Sequence, residues 1–211
     1  MSNNSVSYDS VMKTASKTRK ETKRVTHKKL VDSAIKNFRK NGFVGTKTLD
    51  IARTAGVSHG TVFLHFKTKN DLFAEVLGEF GRQATYRMRE LTDSGMGVYE
   101  VLNAHLKVLA EYEDIYYRMI SEQSNLPDEV ELVIISIQSA ISQTLNIAIQ
   151  KEVKSGKIKN MPMDLLFNTW IGLLHHYFAH RHLFCPDGSL IENKGKKLLN
   201  HFISLIKLER S

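Results

Sequence analysis

The chain has 211 residues, 42% hydrophobic and 25% charged, with a single cysteine; this excludes a disordered chain and, with Cys185 alone, any internal disulfide. The absence of an apolar leader run predicts a cytoplasmic setting, and no uninterrupted apolar stretch nears the roughly 20 residues that cross a bilayer, which predicts no membrane partner. The net charge of +8 is uneven: residues 1–70 hold 15 Lys and Arg against 4 Asp and Glu, and the remainder hold 15 against 18, the footprint of a polyanion binder carried on a near-neutral body.

Residues 1–24 are rich in Ser, Thr, Asn and Lys and poor in apolar side chains, which predicts a flexible basic arm whose run "KTRKETKR" can reach along phosphates. From Thr26, a capping residue, Leu30, Val31, Ala34, Ile35 and Phe38 recur at helical spacing until Gly42 stops the helix. A second helix is predicted over 48–55, burying Ile51, Ala52 and Ala55. Gly56 then supplies a positive φ, Val57 turns inward, and Ser58 caps a third helix that buries Val62 and Phe66. This is a helix-turn-helix, with Ser58, His59, Gly60, Thr61 and Phe63 left on the outer face. Such a helix enters the major groove with its N-terminal residues towards the base edges, and a glycine there lets the backbone come close.

The stretch "AIKNFRKNGFVGTKTLDIARTAGVSHGTVFLHFKTKNDLFAEVL", with "NGF", "DIA", "AGVSHGTVFLHF" and "KTKNDL" in order, resembles the N-terminal DNA-binding domain of TetR-like transcriptional regulators. The resemblance implies that Thr46 and Lys47 lie near phosphates, that Ser58, His59, Gly60, Thr61 and Phe63 face the groove, and that His65 and Lys69 anchor the backbone. Phe63 stands where the family usually has tyrosine, so it brings no hydroxyl to a phosphate. Thr48 and Leu49 stand where an apolar and then a polar residue are usual. The implied architecture is all-α: an arm (1–24), a DNA-binding domain (25–71) and a helical effector-binding and dimerisation domain (72–211).

Beyond Thr68, which caps it, a long helix buries Leu72, Phe73, Val76, Leu77 and Phe80 and continues towards Leu91. Further helices are predicted over 98–110, 115–120, from Pro127 through Leu145, over 163–182 and over 190–208, with no strand-like alternation and no repeat. The last two carry more apolar surface than two exposed helices should, and in the TetR-like family they pair with a second copy, so a homodimer on a two-fold double-stranded DNA operator is expected. Tyr116, Tyr117, Met119, Phe167, Trp170 and Tyr177 are candidates to line an apolar pocket for a small-molecule effector of unknown identity. Glu111, Glu113 and Asp114 read as a solvated face. His176 and His180, four apart and followed by Cys185, raise a metal-responsive alternative, but no third ligand completes the set and histidine is at home near a helix C-terminus; neither metal nor other cofactor is expected. No phosphate loop, metalloprotease helix or nucleophile elbow appears, so no enzyme is expected. The expected function is a regulator, a repressor released from its operator by its effector; an architectural DNA binder without a ligand is the remaining alternative.

Overall fold

The computed structural model describes the backbone of residues 5–93, 95–126 and 128–208, and the side chains of the same residues except 5–18, 128 and 129. Its helices are α1 (Ser5–Gly45), α2 (Thr48–Ala55), α3 (His59–His65), α4 (Lys69–Leu91), α5 (Val98–Glu111), α6 (Glu113–Ser121), α7 (Asp128–Lys154), α8 (Met163–Ala179), α9 (Arg181–Phe184) and α10 (Lys196–Ile206). A π-helical turn over Ile191–Gly195 leads into α10. No strand occurs among the described residues; a lone antiparallel bridge ties Ile158 to Lys207. The class is all-α, as expected.

α1 differs from its expectation at both ends. It runs through the segment expected as an arm, and Thr26 lies inside the helix rather than at its cap. Neither Gly nor Pro interrupts residues 5–41, so the helix that Leu30, Ala34 and Phe38 anchor in the core continues outward without a stop signal. At the other end Gly42 breaks the regular dihedrals at φ 72° and ψ 177°, the glycine stop read from the sequence.

α1, α2, α3 and the start of α4 form a head around Leu30, Phe38, Ile51, Val62, Phe66, Leu72 and Phe73. α4 crosses the expected boundary at residues 71 and 72 without a break and continues into the body, burying Val76, Leu77, Phe80, Ala84 and Met88. In the body, α4 lies along α7 so closely that a Cβ on Gly81 would stand 2.6 Å from Ile137. α7 contains the segment Val130–Lys154, at mean hydropathy 1.6 long and apolar enough by composition to cross a membrane. Ser136, Gln138, Ser142 and Gln143 interrupt its apolar run, which is why it escapes a search for an unbroken stretch. It packs on α4 and α5 and leaves Leu132, Ile135 and Ile147 exposed.

Two polar pairs cross the body core. The Trp170 indole N–H donates to His105 Nδ1 at 3.0 Å, and His175 Nε2 meets the Tyr116 hydroxyl at 2.9 Å. Burial, with His175 nearby, lowers the His105 pKa to about 4, and burial raises that of Tyr116. Glu113, read as solvated, is buried: it accepts from the backbone N–H of Leu190 at 2.7 Å and of Ile191 at 3.2 Å and from the Ser189 hydroxyl, so a carboxylate on α6 satisfies donors at the entry to the last helix.

Candidate nucleic-acid interface

The helix-turn-helix is assembled by local chemistry. Gly56, at φ 67°, closes α2, and the Val57 N–H reaches back to Ala52 O at 3.1 Å. Ser58 Oγ accepts from the Thr61 N–H at 3.2 Å and so caps α3. Thr68 and Asp71 cap α4 reciprocally, at 2.9 and 3.1 Å. Asn37 Nδ2 on α1 donates to Thr54 Oγ1 on α2 at 3.0 Å. With Val62 and Phe66 buried, the opposite side of α3 is held out on a fixed frame.

That side carries Ser58, His59, Gly60 and Phe63, all exposed, with Thr61 half-buried beside them. His59 Nε2 meets Thr48 Oγ1 at 2.9 Å, and its ring meets Phe63 edge-on at 5.1 Å, so its position is shared between α2 and α3. The Thr61 and Ser58 hydroxyls are 2.8 Å apart. A Cβ on Gly60 would meet only Ser58 Oγ, at 3.9 Å, so nothing inside the protein asks for glycine there. Lys47, exposed, stands at the start of α2. Leu64, 79% exposed, belongs to the same outer face although the motif does not single it out; the signal is present in the sequence, since inward positions 62 and 66 leave 63 and 64 pointing out.

Three assigned residues sit otherwise than expected. Thr46 is 1% exposed and donates its hydroxyl to Gly42 O at 2.6 Å, so its side chain is not on the phosphate-facing surface; the kink at Gly42 turns it inward. Lys69 is half-buried: its ammonium donates to Phe43 O and lies 4.3 Å over the Phe43 ring. Burial lowers its pKa, while Glu122 opposes that effect. His65 is half-buried between His27, 5.5 Å away, and Phe66, with its Nδ1 unbonded and its pKa lowered by burial and then by His27 and Lys23. Lys69 and His65 thus brace the head from within.

The head is fastened to the body where α1 ends. Arg118 on α6 donates to Lys40 O at 2.9 Å, and the Glu122 carboxylate accepts from the Val44 N–H at 2.8 Å.

The expected pocket residues are packed instead. Trp170 has no exposed surface and lies on Phe202, Tyr116 packs edge-on against Phe178, Met119 is buried, and Phe167, also buried, lines a groove with Ile135 and Met163. Tyr117 and Tyr177 are half-buried, with Arg181 over the ring of Tyr117 and Phe184 against Tyr177. Their apolar spacing reports core. A groove of about 630 Å³ opens elsewhere, between α4 and α7, with Gly81, Val133 and Ile137 at its base and Arg82, Tyr86 and Arg89 along it. At the end of α8, the rings of His176 and His180 lie tilted 4.6 Å apart, and His180 Nδ1 is engaged with His176 O; no group of three metal-ligating side chains forms among the described residues.

Residues 30–76 match the family model described as bacterial regulatory proteins, tetR family. A fatty acid metabolism regulator protein of Bacillus subtilis (strain 168) is 29% identical over 158 residues, covering 70% of this chain and 80% of that one. The negative transcriptional regulator IcaR of the Staphylococcus aureus biofilm operon icaADBC is 26% identical over 182 residues, 83% of this chain and 97% of its own. The crystal structure of the Bacillus subtilis regulator FadR in complex with stearoyl-CoA aligns at a TM-score of 0.69 and 22% identity, over 83% of this chain and 97% of that one. A TetR-family regulator from Agrobacterium tumefaciens aligns at 0.70 and 15% identity, over 88% of this chain and all of the other. These two likenesses show the shared fold; the relatives named are transcription regulators. With its helix-turn-helix, the matching head is a DNA-binding domain of the tetR family of bacterial regulatory proteins, and the chain is a DNA-binding transcriptional regulator.

Proposed function

We propose that the protein is a homodimeric, cytoplasmic repressor whose two α3 helices read successive major-groove half-sites of an operator. The observation that carries this reading is the outer face of α3, where Ser58, His59, Gly60, Thr61 and Phe63, joined by Leu64, are held outward by a buried frame to which only the Ser58 cap with Thr61 and the His59–Thr48 contact tie them. Lys47 adds a phosphate contact at the start of α2. The dimer is supported by apolar side chains left exposed on α8 and after it (Leu165, Leu183) and on and beyond α10 (Leu205, Leu208).

The effector we propose is a long apolar chain with an anionic head. Its support is the groove between α4 and α7, where an apolar base meets Arg82, Arg89 and the exposed ring of Tyr86; the relatedness to a fatty acid metabolism regulator points the same way. α4 carries the head, so a ligand that parts it from α7 moves α3 relative to its copy. The test is fluorescence anisotropy on DNA from upstream of the protein's own gene, with unrelated competitor DNA present. Tight binding released by stearoyl-CoA, and not released in an Arg82→Gln/Arg89→Gln variant, supports the reading. Equal binding to every sequence refutes the operator, and operator binding indifferent to acyl thioesters refutes the effector.

A further inference from the structure

The geometry of α1 points to a second DNA contact: we infer that its N-terminal part is a cationic rod that grips phosphates flanking the half-site read by α3. The inference rests on the operator-binding reading and adds a surface to it. Three observations carry it.

The first is direction. The C-terminal end of α1 is fastened to α6 through Lys40 O and Val44 N, whereas His27 touches Glu75 at 2.5 Å and stacks on Phe66 at 4.8 Å, at the end of α3. Running backwards from His27, the helix therefore leaves the head beside the recognition helix and away from the body. The stretch from Ser5 to Lys29 is about 37 Å of helix at 1.5 Å per residue, a length of about ten base pairs.

The second is exposure. Residues 19–25 are all exposed, so this stretch of the helix presents its side chains to whatever lies beside the head.

The third is charge. Residues 5–29 hold eight Lys and Arg against Asp9 and Glu21. Lys13, Lys17, Lys20, Arg24 and Lys28 recur at steps of four, three, four and four, a single helical register. Like charges at that spacing destabilise an isolated helix, so a stripe of them is accommodated best by a polyanion laid along it. Arg24 pairs with Glu21 at 2.6 Å, one exposed contact that a phosphate can replace.

The test compares the full chain with its Lys13→Gln/Lys17→Gln/Lys20→Gln variant, which keeps good helix formers in place. Both are titrated by anisotropy, over a series of salt concentrations, on duplexes carrying a site obtained by selection from random DNA. One duplex is trimmed to the core site and the other extended by ten base pairs on each side. The unaltered chain should bind the extended duplex more tightly, and the variant should lose that gain. The variant's slope of log K against log salt on the extended duplex should flatten by about one for every phosphate it no longer grips. Equal affinity of the unaltered chain for both duplexes, with an unchanged slope in the variant, overturns the rod. Loss of binding to phosphatidylglycerol vesicles in the variant, with DNA binding intact, also overturns it and assigns the stripe to a membrane surface. Failure of the selection to yield any preferred sequence refutes the operator reading instead.

Discussion

Gly42→Ala should uncouple the head from the body. The residue sits at φ 72° and ψ 177°, a region that residues with a Cβ enter at a cost of about 1–3 kcal/mol. The added Cβ would also collide with Glu122 Oε1, forcing away the carboxylate that accepts from the Val44 N–H. Losing a hydrogen bond to a charged group costs about 1.5–3 kcal/mol, so the two effects together come to about 2.5–6 kcal/mol, a large share of the 5–15 kcal/mol typical of a folded domain. Urea unfolding followed by circular dichroism measures the total. A double-mutant cycle apportions it: in a Glu122→Ala background the collision is absent, and Gly42→Ala should then cost only the backbone part. A Gly42→Ala protein within about 1 kcal/mol of the unaltered chain would refute both the strained turn and the clamp, and a larger cost indifferent to Glu122 would refute the clamp alone.

Gly60→Ala separates stability from binding. The site is open and helical, so the substitution should leave the melting temperature unchanged or slightly raised, by the equivalent of about 0.5 kcal/mol, yet lower operator affinity at least tenfold in the anisotropy assay; undiminished binding would place the DNA farther from α3. His59→Ala should weaken operator binding by about 1–3 kcal/mol and relax base preference; retained preference in a selection experiment would show that His59 does not face the bases. His105 makes stability fall with acid. Its folded pKa of about 4 lies below the ordinary 6.5, so the unfolded chain takes up a proton first as pH drops, and stability present above pH 6.5 is lost progressively towards pH 4 by roughly 3 kcal/mol. His105→Gln, which keeps an acceptor for Trp170, should flatten that fall in urea titrations at pH 7, 5.5 and 4.5, and an equally steep fall would move its cause to other groups. Leu205→Asp should shift the protein from dimer to monomer in analytical ultracentrifugation; an unaffected dimer would take α10 out of the interface.

The turn from α2 into α3 is legible in the sequence because its determinants are local. Gly56, Ser58 and the inward pair Val62 and Phe66 act within one or two turns of themselves, and each adopts the role its chemistry suggests. The extension of α1 is not legible from composition: the segment is polar, but between residues 5 and 41 the helix anchored by Leu30 and Phe38 meets no Gly or Pro to stop it. Aromatic periodicity in the body shows burial but does not separate core from cavity: Trp170 and Tyr116 end on histidines 65 and 59 residues away, partners that no local spacing announces.

Three of the residues whose sequence reading fails share a place. Thr46 turns in to Gly42, Lys69 reaches Phe43 O, and Glu113 caps the backbone at Leu190 from the helix whose other end holds Val44 through Glu122. All lie where α6 meets the end of α1 or the start of the last helix, so their side chains answer to tertiary contacts instead of local rules. A regulator that couples its body to its head needs such contacts at that junction. Side chains that bond only within the helix-turn-helix, such as Thr48 with His59, can position the DNA-reading face but cannot make its orientation depend on α6. These departures therefore sit where the proposed signal from body to head has to cross, and Gly42 is the point of that junction where a single methyl group has the least room.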